Sequence, residues 1–136
     1  MIHRIQSIYL FLAVLSPTLV FWFFPIFVID TSIFFWLIDE PAFLGSFIFS
    51  GSISLFSLFR YKNRKQQVVY GRVNIIINFV TFSMVLFYLY SELKDEMDIQ
   101  LGISSFSPIL IIIFTVMANK AIMRDEKLIR EADRLR

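Results

Sequence analysis

The chain has 136 residues, of which 57% are hydrophobic and only 18% charged, with 17 Phe, no Cys and a net charge of +2. That length is one ordinary domain, but the charged share falls below the roughly 25% of a soluble chain. Too little polar material remains to cover apolar helices in water, and the missing cysteines exclude disulfides, thiolate metal ligands and a Cys nucleophile.

Charged residues divide the chain into uncharged runs at 5–29, 41–59, 73–91 and 99–119. An apolar bilayer core about 30 Å thick takes roughly 20 helical residues to cross, so these four runs predict four spans. The stretch 31–38 is too short for a fifth. Unbroken apolarity also speaks against a membrane β-barrel, whose strands alternate over about ten residues. The expected fold is therefore all-α, a four-helix transmembrane bundle with a cytoplasmic C-terminal helical extension. It forms a single membrane domain over 1–136, with helices at about 5–29, 41–60, 70–92 and 104–136, the last continuing into the cytoplasm from about 120.

The first predicted helix carries Pro17 and Pro25. Pro17 removes a mid-helix hydrogen bond and predicts a kink. Its richness in Phe, with Trp22, predicts lipid contact. The run exceeds the apolar core of a signal peptide, about 7–15 residues, so a retained span is expected. Beyond it, Phe34, Phe35 and Trp36 form an aromatic cluster of the kind that anchors at the outer membrane interface.

The second helix begins near Pro41, a favoured first-turn residue. Ser46, Ser50 and Ser54 recur at four-residue spacing, with Gly45, Gly51 and Ser57 close by. Small residues at that spacing let helix backbones approach closely in lipid and predict a packing seam. The alternative, a hydroxyl-lined path, lacks the accompanying intramembrane charge. The third helix places Asn74, Asn78 and Thr81 on one face. Amides in hydrocarbon bond across to a neighbouring helix, contributing about 0.6–2 kcal/mol each; a bound polar ligand is the alternative.

The fourth helix starts around 106–108 and meets no Gly or Pro from 119 to 136, so it is expected to run on past the membrane. Glu126 with Arg130, Lys127 with Glu131 and Glu131 with Arg134 are spaced to pair along it. Ala121, Leu128, Ala132 and Leu135 make a narrow apolar stripe.

Charge orients the whole. Arg4, then Arg60, Lys62, Arg64, Lys65 and Arg72, then Lys120, Arg124, Lys127, Arg130, Arg134 and Arg136 fall on one side. The other side holds Asp30, Asp39, Glu40, Glu92, Asp95, Glu96 and Asp98, with Lys94 its single base. Basic short loops stay in the cytoplasm, which predicts both termini there.

Three blocks give the chain a family likeness: 1–10 (MIHRIQSIYL), 61–67 (YKNRKQQ) leading to Arg72-Val73-Asn74, and 124–130 (RDEKLIR) closed by Asp133-Arg134-Leu135-Arg136. Through them it resembles, over its whole length, the small integral-membrane family known as domain of unknown function 4293, of the Bacteroidota. His3 stands where the pattern has Gln, and Gln67 and Tyr70 are atypical of its loop. The resemblance implies an inner-membrane protein and supplies no catalytic residue. All three blocks lie on the side assigned to the cytoplasm.

For function, catalysis needs convergent acids, bases or nucleophiles. The chain has one His, His3, and no carboxylate inside any apolar run. No catalytic, cofactor-binding or metal residue is predicted, and Asp125 with Glu126 reads as a solvated face because successive helical positions diverge. The expected class is a non-enzymatic inner-membrane accessory or scaffold protein. Arg60, Lys62, Arg64, Lys65, Arg72, Arg124, Asp125, Glu126, Leu128, Arg130, Asp133 and Arg134 are its candidate contacts. Those contacts would engage anionic lipid and a membrane-protein or cytoplasmic protein partner, not nucleic acid. Ser46, Ser50, Ser54, Asn74 and Asn78 are the candidate packing residues. An oligomeric channel or transporter component is the alternative.

Overall fold

The computed structural model describes residues 2–25, 27–29, 33–35, 41–91 and 99–136. The acidic residues of the two predicted outer loops and Lys94 lie outside the described residues, as does Trp36.

Helix α1 is Ile2–Phe23, and its helical course continues through Pro17. It ends six residues short of the expected 29. The cause is Pro25, which disfavours helical geometry in the residue before it. The chain then follows its β-branched and aromatic composition into strand β1, Phe27–Ile29, and returns as β2, Ile33–Phe35. Both were expected as helix or interfacial segment. A third strand, β3, Ile99–Leu101, completes a small sheet of order β2-β1-β3. Val28 lies opposite Phe34 on one side and Gln100 on the other, both antiparallel. Apolar runs bounded by turns fit strand and helix alike, and only the partner strand decides.

Helix α2 is Pro41–Phe59 and α3 is Arg64–Ser91. The turn between them is tight, and α3 starts six residues earlier than the expected 70. Asn63 provides the start: its side-chain Oδ1 accepts from the Gln66 backbone N–H at 3.4 Å, and its carbonyl accepts from Gln67 N–H at 3.1 Å. That is an N-cap, and Lys, Gln and Arg in the first turns are good helix formers.

A short 3₁₀ helix, Ile103–Phe106, leads into α4, Ser107–Arg134, with Pro108 in the first turn. The Ser104 hydroxyl donates to the Phe24 carbonyl at 2.5 Å, tying the entry of α4 to the exit of α1. Helix α4 is one unbroken element, about 42 Å long at 1.5 Å per residue.

The helices pack in a ring: α1 against α2 and α4, α3 against α2 and α4. Inside the ring most of the side chains are small or polar. Ser50, Ser54 and Ser57 come from α2; Gln67, Asn74, Asn78 and Thr81 from α3; Thr115, Ala118 and Asn119 from α4. Leu10, Ala13, Phe43, Val85, Ile111 and Ile122 fill the rest. Many more of the large apolar side chains point outward, with Phe59 78% and Phe87 70% exposed, and Phe49, Ile76 and Phe79 behave likewise. This inverts the soluble pattern, in which Phe and Ile are the residues most often buried. Lipid is the solvent that suits it. Three helical stretches, Pro41–Phe59, Arg64–Ser91 and Ile103–Arg134, are each long and apolar enough to cross a membrane.

Candidate functional site

Two regions carry chemistry: a polar seam inside the ring and a charged surface at the α2–α3 turn and the end of α4.

The seam is built by two helices running antiparallel. Ser50 Oγ donates to Asn74 Oδ1 at 2.7 Å, and Asn74 Nδ2 donates to Ser54 Oγ at 2.8 Å. Asn78 Nδ2 donates to Ser50 Oγ at 2.7 Å and to the Asn74 carbonyl at 2.8 Å. Each amide therefore satisfies the other's environment, and all four residues are at most 2% exposed. Left unpaired, such groups would cost about 1–3 kcal/mol each. Ser46 is not part of this seam; half-buried, it bonds back to the Phe43 carbonyl of its own helix at 2.8 Å. Ser57, one turn beyond Ser54, is the third serine of the buried face instead. The reason is angular. Positions 50, 54 and 57 follow the 3.6-residue repeat toward α3, whereas a strict four-residue step drifts off that line. Thr81 and Thr115 are buried too, each returning its hydroxyl to its own helix, at Ile77 and Ile111.

The charged surface is arranged in two pieces. In the turn, Arg60 and Lys62 are exposed, Arg64 is half-buried, and Lys65 and Arg72 extend from the first turns of α3. The Arg60 guanidinium sits 5.3 Å from the centre of the Phe56 ring, and Phe56 meets Tyr70 edge-on at 5.3 Å. This holds one cation against the helix pair by its quadrupole attraction. Along α4, Arg124 is exposed, Glu126 is half-buried, and every residue from 127 to 136 is exposed, Leu128, Arg130, Asp133 and Arg134 among them. Glu126 and Arg130 pair at 2.6 Å, and Lys127 and Glu131 approach to 3.8 Å. No Glu131–Arg134 pair forms among the described residues.

Asp125 departs from its expected place on a solvated face. It is 5% exposed, on the same inward face as Ile122, because the three-residue step from Ile122 keeps it turned toward the ring. Spacing alone pointed this way; the neighbouring charges Arg124, Glu126 and Lys127 masked it.

Against known proteins, the family described as domain of unknown function (DUF4293) matches residues 2–135. The chain belongs to this family. Nearly its whole length is therefore the family's domain, the polar seam, the basic turn and the α4 end included. No curated protein and no solved structure matches it.

Proposed function

We propose that this family member is a non-enzymatic accessory or scaffold protein of the bacterial inner membrane, with α1 as a fourth span beside α2, α3 and α4 and both termini in the cytoplasm. It binds a membrane complex or a cytoplasmic protein through the basic turn at 60–72 and the charged end of α4.

The observation that carries this reading is the end of α4. A helix that begins in the core continues without a break to Arg134, and every residue from 127 to 136 is exposed, the apolar Leu128, Ile129 and Leu135 among them. Leu135 is 90% exposed. A helix packed at one end and exposed at the other suits docking into a groove on a partner. The acidic residues Asp133, Glu131 and Glu126 on it oppose attachment to anionic lipid, which favours protein as the occupant. The basic turn has the opposite character, and its cations suit anionic headgroups at about 1 kcal/mol each near the surface.

The positive-inside distribution supports the cytoplasmic placement of both regions. The seam supports a scaffold over a channel: its serines and asparagines are buried within one chain and bonded to one another, rather than turned toward a shared pore. A mild-detergent pull-down of the tagged native protein, read by mass spectrometry, tests the proposal. Stoichiometric recovery of other membrane-complex subunits or one cytoplasmic protein is the expected result. A clean homo-oligomer that conducts ions in planar bilayers would replace it with the channel.

A further inference from the structure

Two buried oxygens have no hydrogen-bond partner among the described residues: Ser57 Oγ and Asn119 Oδ1. Both side chains are more than nine-tenths buried, at 1% and 7% exposure. They come from different helices, and both are placed by reference to Gly71 of α3. The pairings of Ser50 with Asn78 and of Ser54 with Asn74 set the antiparallel register of α2 and α3. One turn further along α2, that register brings Ser57 level with Gly71. From the other side, the Asn119 carboxamide of α4 lies against Gly71, in the space a Cβ would take. Gln67, 4% exposed, lies one helical turn before Gly71 on the same face of α3.

From this convergence we propose that the α2–α3–α4 junction at Gly71 is a binding site for one internal water, which donates to Asn119 Oδ1 and bonds to Ser57 Oγ. The donor set selects the occupant. An amide oxygen only accepts, and a serine hydroxyl both donates and accepts, so whatever joins them must bring a donor of its own. Ser57, Gln67 and Asn119, the buried polar side chains at this level, are all neutral, so no counter-charge among them calls for an ion. Buried waters ordinarily make about three hydrogen bonds, and buried Gln67, one turn from Gly71, offers an amide for the third. The water ties α4 to α2 one turn beyond the Asn78–Ser50–Asn74–Ser54 chain of bonds, which joins only α2 and α3. The third helix of the junction is then held by a replaceable molecule, whereas the first two are held by direct side-chain bonds.

A double-mutant cycle in detergent, with a high-resolution structure of the unmodified protein, tests this. Ser57→Ala and Asn119→Ala should each lower Tm by about 3–6 °C. The double variant should fall no further than the worse single one, since both side chains hold the same molecule. Asn119→Ser, which restores a small acceptor, should recover part of the loss. Density should lie within about 2.7–3.2 Å of both oxygens. Should Asn119→Ala fail to fold, Ser57→Ala and that density still decide the matter. Additive effects, a Tm that rises when either oxygen is removed, or a junction without density where other ordered waters are seen, would each overturn the site.

Discussion

The carboxamide of Asn119 lies over the Cα of Gly71 so closely that a Cβ at position 71 would overlap it. Helices α3 and α4 thus meet where one has no side chain and the other a polar one. Gly71→Ala is expected to force the amide aside and lower Tm by several degrees, and Gly71→Leu to abolish the packed state. At Gly45 and Gly51 nothing lies within 4 Å of a Cβ, so Ala there should be neutral or stabilising by up to about 1 kcal/mol through helix propensity. Thermal unfolding of the three Ala variants separates the cases, and an equal response at all three positions would contradict the close approach.

Ser50 accepts from one asparagine and donates to another. Ser50→Ala is expected to destabilise by about 1–3 kcal/mol, because Asn74 Oδ1 and Asn78 Nδ2 each lose a partner in a buried site. Ser46→Ala removes only a bond within one helix turn and should cost less than about 0.5 kcal/mol. Reversed magnitudes in denaturation measurements would mean that the seam faces the other way.

Asn63 caps α3. Asn63→Ala is expected to cost about 0.5–2 kcal/mol and Asn63→Asp very little. Circular dichroism melts in detergent check both, and an Asp variant as weak as the Ala one would refute the cap.

The absence of native Cys makes orientation directly measurable. Lys65→Cys should resist an impermeant thiol reagent applied from outside the inner membrane, and Asp98→Cys should react. Labelling of both, or only of residue 65, would overturn the four-span topology.

Removing 128–136 is expected to leave membrane insertion and the packed helices intact while abolishing partner recovery. Leu128→Arg combined with Leu135→Arg should do the same less completely. If the truncated protein keeps its partners and complements a deletion strain, the end of α4 is not the docking element.

Much of this architecture can be read from the residues, and its failures have physical causes. The bounds of α2 follow from a continuous apolar run behind Pro41. The start of α3 does not, because hydropathy treats 64–69 as loop, whereas an Asn three residues before Gln is a capping signal that owes nothing to hydropathy. Strands β1 and β3 are invisible to any local reading: Phe27–Ile29 and Ile99–Leu101 become a sheet only through each other. In the seam, Ser50, Ser54, Asn74 and Asn78 are marked by being polar in apolar surroundings, while their partners depend on the register of two helices. Asp125 was hidden by charged neighbours, and the junction at Gly71 by requiring three helices at once.

The pairing of Val28 with Gln100, together with the bond from Ser104 to Phe24, also bears on how the molecule is made. Of these four helices α1 is made before the rest, and one of its two neighbours, α4, comes after all the others. A two-stage assembly, insertion followed by association, must therefore leave α1 packed on one side only until α4 is complete. The α2–α3 pair, adjacent in sequence and joined by a tight turn, has no such delay. A stalled chain lacking α4 should hold a formed α2–α3 hairpin with α1 resting on α2 alone, and the sheet records the moment at which synthesis becomes a closed ring.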